Sequence, residues 1–490
     1  MITITRLLAR QLRAVFRNSG VHSTSHSPMG PPVVFQAGPE GLRVRAHKYD
    51  VAVECHQPGE LPADTIVVPR NFLDDAEGAK NEPVTLENGS NGHVVAQWRD
   101  KGTPQLLQYD SPATKDIAGF PDLPETLASN APDLLAALAD VGEVTDKESS
   151  RFVLCCLQLR GKRGSIVGSD GHQLLIHAGF TFPWDDDILM PANQVFGRHV
   201  LPQDQPVLIG RTNKWVAVRV GAWTILLAID EEGKFPRNID GVVPRADAAV
   251  SHCRFTALDA KFLLQSLMQL PNRDEPDSGV TIDLNGKVCV RSRDPSNSEP
   301  TEIALTATKV EGEPVCVATN RHFLERALRL GLLELCLYGN DGKLFAFDSR
   351  RNYVWMPLES HCIVPPSQNP IRVEPQPDAP VAEIVPIRTR RKPSVSKTTI
   401  ATATTESTPA ASDVAATPAP AEPTAKSAKS REPRTMAFVP PIEQAKALRT
   451  SLKDTLLKTN DLIGALRRQQ RQSKAVASTL ASLNQLQKIA

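Results

Sequence analysis

The chain has 490 residues, 41% of them hydrophobic, with 40 prolines and a formal net charge of +1. A single hydrophobic core rarely grows beyond about 250–300 residues, so a one-domain protein is excluded. The modest apolar content and the many prolines predict a folded part joined to a part that does not fold.

The net charge conceals a split along the chain. Residues 371–490 carry +9 (19 Lys and Arg against 10 Asp and Glu), whereas residues 1–370 carry −8 (37 against 45). An acidic body with a basic tail favours contact between the tail and a polyanion or a protein partner. There is no run of 18 apolar residues, so no membrane span is expected.

The first 366 residues repeat one plan three times. Each copy has a predicted helix, then a hairpin, then a short apolar strand that ends at an asparagine, then a helical start and a second hairpin. The asparagines are Asn71, Asn193 and Asn320, spaced 122 and 127 residues apart. The predicted leading helices cover residues 7–16, 132–141 and 258–270. Such self-similarity predicts three α+β domains, 1–124, 125–247 and 248–366, each with two helices over antiparallel sheets.

The hairpin of the second copy leads into a segment that the other two copies lack. Residues 152–159 predict a strand covered on both sides, and the glycines at 161 and 164 suit a tight turn before the next strand, 165–168. The chain then enters a polar run, residues 169–174, which is unique to this copy. This difference marks the run as a candidate functional site.

The C-terminal quarter has a different composition. Residues 367–440 are rich in Pro, Ala and Thr, which predicts a disordered linker. Residues 441–490 recover a helical period with a narrow apolar stripe, which predicts an amphipathic or coiled-coil helix. Such a helix needs an unknown partner, a second copy of itself or its own second half; a marginally ordered solvated helix is the alternative.

Residue patterns for catalysis are absent from the sequence. No phosphate-binding loop, dinucleotide fingerprint, zinc motif or paired-cysteine box occurs. The acidic run 185–187 reads better as a solvated turn than as a metal site. No nucleophile has a base in plausible reach, because catalytic triads are assembled in space rather than along the chain. We therefore predict a binding protein without catalytic residues, metal or cofactor. The Arg-rich start could pass for a transit peptide, but we interpret it as the first strand and helix and expect a cytoplasmic protein.

Three motifs, taken together and in this order, resemble the bacterial DNA polymerase III β subunit, the sliding clamp. The run 168–174, GSDGHQL, is similar to the clamp's threonine-aspartate-glycine-histidine-arginine-leucine motif. Phe235-Pro236 and Val243-Pro244 lie at a suitable distance after it, and residues 353–358, YVWMPL, resemble the clamp's closing motif. The resemblance covers residues 1 to about 366.

The resemblance implies a head-to-tail homodimer whose six domains form a ring around duplex DNA, bound without sequence readout, and which supports DNA replication as a processivity factor. Polymerase and clamp-loader subunits would dock short peptides between the second and third domains. Carried over residue by residue, the peptide groove would comprise Ser169, Gly171, His172, Gln173, Leu174, Pro236, Val243, Val354, Met356, Pro357 and Leu358. One stripe of the first helix, Arg6, Arg10, Arg13 and Arg17, would face DNA, or alternatively be a solvated helix face.

The chain also departs from the clamp pattern. Gln173 replaces an arginine, and Trp355 replaces a smaller residue, so both are expected to alter the groove. The corresponding helix of the second copy is acidic, with Asp133, Asp140 and Glu143. Gln173, the acidic helix and the tail support an alternative function, a clamp-derived interaction scaffold that no longer serves replication.

Overall fold

We describe a computed structural model of the protein. It describes residues 1–374 except 23–29, 90–91, 113–116, 118, 147–152, 274–277, 295–296 and 298. The chain divides into two compact units, Met1–Pro386 and Ile387–Ala490, and the second lies wholly outside the described residues. The predicted helix 441–490 and most of the predicted linker therefore fall outside them too. Among the described helices, none combines the length and apolar character that crossing a membrane requires.

Among its described residues, the first repeat has eight strands and two helices. In chain order these are β1 Ile2–Thr5, α1 Arg6–Asn18, β2 Val33–Gly38, β3 Gly41–Lys48, β4 Val51–Gln57, β5 Asp64–Val68, α2 Asn71–Ala76, β6 Pro83–Asn88, β7 His93–Asp100 and β8 Thr103–Asp110. Helix α1 begins where the side chain of Thr5 accepts a hydrogen bond from the Leu8 amide, a regular N-cap.

The second repeat has the same order. Its elements are β9 Ala128–Asn130, α3 Asp133–Gly142, β10 Cys156–Arg160, β11 Ser165–Ser169, β12 Gln173–Ala178, β13 Asp187–Pro191, β14 Val207–Arg211, β15 Trp215–Val220 and β16 Trp223–Ala228. A 3₁₀ turn, Gln194–Phe196, stands where the first repeat has α2. The side chain of Asn193 caps this turn, so the asparagine signal is correct but only one turn forms.

The third repeat adds one strand to the plan. Its elements are β17 Ser251–Arg254, α4 Ala257–Ser266, β18 Gly279–Asp283, β19 Val288–Ser292, β20 Thr301–Leu305, the additional β21 Lys309–Gly312, β22 Cys316–Asn320, α5 Arg321–Arg329, β23 Glu334–Leu337, β24 Leu344–Phe347 and β25 Arg351–Trp355. A last strand, β26 Ile371–Val373, comes after it.

The repeats are joined edge to edge through shared sheets. Strand β4 pairs with β16 in an eight-stranded sheet, and β12 pairs with β25 in a nine-stranded sheet. Two smaller sheets close the ends, β1-β6-β7-β8 in the first repeat and β22-β18-β19-β20-β26 in the third. All pairings among the described strands are antiparallel except β20 with β26. The predicted α+β class is confirmed.

Each shared sheet has two different faces. On one face the helices pack into the main hydrophobic core, to which Leu175, Tyr353 and Trp355 belong. We call this the helix face. On the opposite face, segments that link the repeats cover small separate apolar clusters. Phe120 lies over the first shared sheet, and Phe235 with Val243 lies over the second.

The structure corrects several local predictions. Each half of a repeat has three consecutive strands, where the sequence predicted a hairpin of two. The strand that was not predicted is the third of each run, for example β4, β12, β16 and β25. Strand β10 begins at Cys156 rather than at residue 152, which is outside the described residues. Strand β26 lies in the range predicted to be linker, so ordered chain extends past residue 366.

Candidate functional site

The polar run 169–174 lies at the junction of the second and third repeats. Strand β12 pairs with β25 from Gln173 opposite Trp355 to His177 opposite Arg351. We call this pairing the seam. The Met356 amide donates to the carbonyl oxygen of His172 at 2.9 Å, which extends the seam by one further bond. Two motifs about 180 residues apart in sequence are thus neighbours in space.

The turn between β11 and β12 is built by its own side chains. Asp170 Oδ1 accepts hydrogen bonds from the amides of His172 and Gln173, at 2.8 and 2.9 Å. Ser169 Oγ donates to the Gln173 carbonyl at 2.7 Å and accepts from the Gly171 amide. Gly171 has a φ of +91°, which a side chain would make costly. The turn is therefore rigid and holds His172 exposed beside Met356.

The face of the seam opposite the helices is apolar. Leu174 is buried with Val167, Ile176 and Ile239 in one cluster, and Val354 is buried with Cys336 and Phe345 in a second. Val243 packs against both clusters and so joins them. Leu174 and Val354 are directly opposed across the seam, which makes one continuous apolar surface from two repeats.

The linking segment 235–249, which we call the strap, is fixed on both sides of the seam. On the second-repeat side, Arg160 Nη1 donates to Asp240 Oδ1 at 2.6 Å. On the third-repeat side, Tyr338 Oη donates to the Arg245 carbonyl at 2.6 Å and Lys343 Nζ donates to the Val242 carbonyl at 3.0 Å. Partial burial raises the pKa of Asp240, but hydrogen bonds from Arg160 and Arg163 outweigh this effect and hold the pKa below its usual value.

The remaining groove candidates divide into two groups. Met356 is 44% exposed at the end of β25, so it offers apolar surface beside the turn. Pro236 and Pro357 are half-buried on the strap and after Met356. Leu358 points elsewhere: its amide donates to the Ala318 carbonyl at 2.8 Å, and its side chain lies beside Gly279 on β18. Leu358 is therefore packed against the third repeat rather than placed at the seam.

Gln173 and Trp355, expected to change the groove, lie on the helix face instead. Successive residues of a strand point to opposite faces, so Leu174 faces the strap and Gln173 faces the helices. Gln173 is 6% exposed and both ends of its amide are bonded: Nε2 donates to Asp170 Oδ2 at 2.7 Å, and Oε1 accepts from Tyr353 Oη at 2.7 Å and from Arg326. Trp355 is 1% exposed and donates to Thr319 Oγ1 at 2.9 Å. Gln173 therefore fastens the second repeat to the third, whereas the side chain of Trp355 is bonded within the third repeat.

This arrangement gives a prediction about the arginine of the clamp motif. Gln173→Arg places a second guanidinium beside Arg326 in a buried site, so we expect the free energy of unfolding to fall by about 2–4 kcal/mol. The double change Gln173→Arg/Arg326→Gln exchanges the two groups, and we expect it to recover about 1 kcal/mol or more of that loss. Urea unfolding of the unaltered chain, Gln173→Arg, Arg326→Gln and the double variant measures the coupling between the two residues.

The matched control for this cycle is His172→Arg. It introduces the same side chain at the adjacent, exposed position. It is expected to leave stability nearly unchanged. A neutral Gln173→Arg change, or a double variant no better than the single one, would contradict the proposed role of Gln173.

The structure divides the predicted DNA-facing arginine stripe. The Arg6 guanidinium is buried and donates to Asp100, to Glu82 and to the carbonyls of Ala76 and Glu77. It is therefore a structural residue within the first repeat. Arg13 is half-buried and is paired with Asp74 and Glu77. Arg10 and Arg17 are exposed and have no ion pair within the described part of the chain.

Two of the three acidic residues in α3 and at its C-terminus are neutralised by the third repeat. Arg350 pairs with Asp133, and Arg329 on α5 pairs with Glu143. Asp140 is buried, and burial raises the pKa of its carboxyl group. These groups belong to the contact between repeats, so they do not form an unbalanced negative surface.

Comparison with known proteins shows similarity in structure alone. No protein-family model and no curated protein sequence matches the chain. The DNA polymerase III subunit beta of Pseudomonas aeruginosa superposes with a TM-score of 0.60 at 19% identity, over 73% of this chain and 99% of that one. The sliding clamp of Bacillus subtilis gives 0.62 at 15% identity, over 73% and 98%. The beta subunit of Streptococcus pyogenes gives 0.62 at 11% identity, over 73% and 99%.

The chain has the bacterial sliding-clamp fold. The matches span nearly the whole of the clamp structures, so all of their fold is present in this chain. About a quarter of this chain has no counterpart in them. Identities of 11–19% establish the fold and leave the function to be argued from the residues.

Several residues of the apolar surface were missed by the sequence analysis. They are Val167, Ile176, Phe235, Ile239, Ala246, Ala249, Tyr338, Phe345 and Phe347, all in the two clusters at the seam. Alternation within β11, β12 and β24 could have assigned those on strands to one face. Nothing in the sequence indicates which strands of different repeats meet, so their common surface was not predictable.

Proposed function

We propose that the chain is a clamp-type processivity factor: two copies close into a ring around duplex DNA, and polymerase and clamp-loader subunits dock short peptides at the strap face of the seam. The single observation that carries this proposal is the clamp fold of three repeats joined edge to edge. The protein acts by holding and positioning rather than by catalysis, and we place it in the cytoplasm. We also propose the ranges 1–124, 125–247 and 248–366 as its domains.

Ring closure is supported by two strand edges that do not pair with another repeat among the described residues. Each repeat contains two runs of three consecutive strands. In the three repeats the last strand of the first run is β4, β12 and β20, and the last strand of the second run is β8, β16 and β25. Two of the three possible junctions, β4 with β16 and β12 with β25, form within the chain. The third junction, β20 with β8, has one member at each end of the fold. A second copy in head-to-tail orientation supplies the missing partner.

Peptide docking is supported by the surface at the seam. Apolar anchors bind best in pockets with a rigid frame and a few polar groups. Here half-buried Val243 packs over Leu174 and Val354, exposed Met356 lies beside the turn, and the turn presents His172. This surface lies opposite the helix face, so a docked peptide leaves the helices free for DNA.

The scaffold alternative has lost two of its three supports. Asp133 and Glu143 are paired with arginines of the third repeat, and Gln173 fastens the seam rather than altering the groove. Only the C-terminal extension remains unusual. We therefore favour the clamp function.

The decisive experiment separates topological binding from ordinary affinity. The full chain is incubated with linear duplex DNA whose ends are then blocked by bulky streptavidin or left open, and the salt concentration is raised to about 0.5 M, where phosphate contacts are largely screened. We expect retention on blocked DNA and loss from open DNA within the same interval. Equal loss from both would overturn encirclement.

The two exposed arginines of α1 give a separate prediction. Reversing both, Arg10→Glu/Arg17→Glu, removes two phosphate contacts, so we expect the slope of log affinity against log salt to fall by about 2 and the affinity at low salt to fall about 10–100-fold. Fluorescence anisotropy of labelled duplex DNA measures both quantities.

The control reverses two exposed cations away from the helices, Lys214→Glu/Arg237→Glu. The net charge change is the same, so long-range effects are matched. We expect little change in the salt slope. Equal slopes for the two double variants would show that α1 does not face DNA.

A further inference from the structure

The edge of β20, which ring closure requires, is already occupied. Strand β26 pairs with it in parallel, with Ile371 opposite Thr301, Arg372 opposite Glu302 and Val373 opposite Ile303. The Ile371 amide donates to the Pro300 carbonyl at 3.0 Å. Three of the five residues of β20 are therefore covered on the side where the equivalent strands β4 and β12 meet the next repeat.

Strand β26 is held at this edge by a specific ion pair. Arg372 Nε lies 3.2 Å from Glu302 Oε1, and Glu302 is 5% exposed. On its other side Glu302 contacts Arg291, which is itself 2% exposed and paired with Asp283. Because the Arg372 side chain is 55% exposed, this ion pair fixes the register of β26 more than it adds stability.

The chain that leads to β26 is fixed along its route. The Val364 amide donates to Thr281 Oγ1 at 2.8 Å, and the Val364 carbonyl accepts from Arg291 Nε at 3.2 Å. Ser367 Oγ then donates to Glu299 Oε2 at 2.5 Å, just before β26 begins. This tether keeps β26 beside β20 at a high effective concentration, so it competes well with a strand from another molecule.

The docked strand is nevertheless short and shallow. It has three residues, and Ile371 and Val373 are 53% and 37% exposed. The competitor β8 has eight residues, and its Leu106 and Leu107 are 59% and 39% exposed along an edge that pairs with no other described strand. A longer strand with more apolar surface to bury can displace the shorter one.

We propose that β26 is a displaceable cap on the closure edge: the chain is kept from closing a ring while β26 is paired with β20, and β8 of a second copy replaces β26 when the ring closes. This inference rests on the proposed function, because it takes β20 to be the closure edge. It gives the segment after residue 366 a defined role, the control of dimerisation.

The test uses the full chain with the double change Ile371→Pro/Arg372→Glu. Proline removes the amide that bonds to Pro300, and glutamate opposes Glu302. Sedimentation equilibrium measures the dimer dissociation constant. Releasing an intramolecular competitor is expected to tighten dimerisation about tenfold or more. The matched control, Lys309→Glu, reverses a charge on β21, an exposed edge strand of another sheet, and is expected to leave the dissociation constant unchanged.

A second measurement monitors the cap directly. Hydrogen exchange of the amides at 371–373 is compared below and above the dimer dissociation constant of the unaltered protein. We expect protection in the monomer and loss of protection in the dimer, whereas amides of β20 stay protected in both. This readout does not depend on whether the double variant folds well.

The outcomes separate the cap from the ring. Unchanged or weaker dimerisation of the double variant, with 371–373 still protected in the dimer, would overturn the cap and leave the ring intact. Absence of a dimer in every variant, at all concentrations, would overturn both the cap and the ring closure in the proposed function. Tighter dimerisation with loss of protection supports both.

Discussion

Met356→Glu is expected to lower the affinity for a peptide at the seam about 100-fold or more. Met356 is 44% exposed, so the free protein tolerates a charge there. In the complex the substituted glutamate would be desolvated against the apolar anchors of the peptide, and an unpaired buried carboxylate is strongly unfavourable. Anisotropy titration of a labelled peptide from a polymerase subunit of the same organism measures the loss.

The matched control is Leu258→Glu on α4. Leu258 is also 44% exposed, so the two substitutions remove comparable apolar surface and add the same charge. Only the variant at the seam should lose peptide binding, and both should unfold at nearly the same temperature as the unaltered chain. Equal peptide affinity for the two variants would place the docking site elsewhere.

Leu106→Asp/Leu107→Asp is expected to prevent ring closure, raising the dimer dissociation constant about 100-fold or more. Fully burying a leucine stabilises by about 1.5–3 kcal/mol, and two carboxylates at a pairing edge add a desolvation penalty. These leucines lie on β8, opposite Gln97 and Ala96 of β7, with the other side of the strand unpaired within the described residues. Sedimentation equilibrium gives the dissociation constant, and retention on end-blocked DNA should be lost with it.

The control for this pair is Leu61→Asp/Leu123→Asp. These leucines are 41% and 43% exposed, and neither lies on β8 or β20. We expect unaltered dimerisation. A β8 variant that still dimerises as tightly as this control would show that the molecules associate through another surface.

The two sets of variants also test whether the functions are separable. The peptide surface lies on the strap face of the second shared sheet, and the closure edges lie in the two end sheets. Met356→Glu should therefore still form rings, and the β8 variant should still bind peptide as a monomer. Loss of both properties in either variant would indicate general unfolding, which circular dichroism detects.

Local chemistry made much of the repeat predictable. Asn193 and Asn320 each cap a turn or helix at the predicted place, because capping depends on residues within one turn. Asn71 is instead the first residue of α2, whose N-cap Arg70 makes no side-chain hydrogen bond. Strands that pair with a sequence neighbour, such as β2 with β3, were also found. Of the two glycines predicted to form the turn before β11, Gly164 has a positive φ of +57°.

The sequence did not reveal the partners of the third strands. The partner of β12 on one side is β25, about 180 residues later in the sequence. The corresponding partner of β4 is β16, which is also distant in sequence. A strand's pattern shows which of its faces is apolar but not which strand lies beside it. The seam, the strap and the edge left for a second copy all depend on those distant pairings.

The sequence by itself determined three α+β repeats, the positions of several of their caps and turns, and the two motifs that meet at the seam. Only the tertiary structure decided which side chains face the strap. It placed Gln173, Trp355 and Arg6 in internal contacts and left Arg10, Arg17 and Met356 exposed. The physical reason is that exposure is a property of the neighbours a residue acquires, and here many of the deciding neighbours are distant in sequence or come from other repeats. The same holds for β26, whose proposed role depends on the edge that its three residues cover.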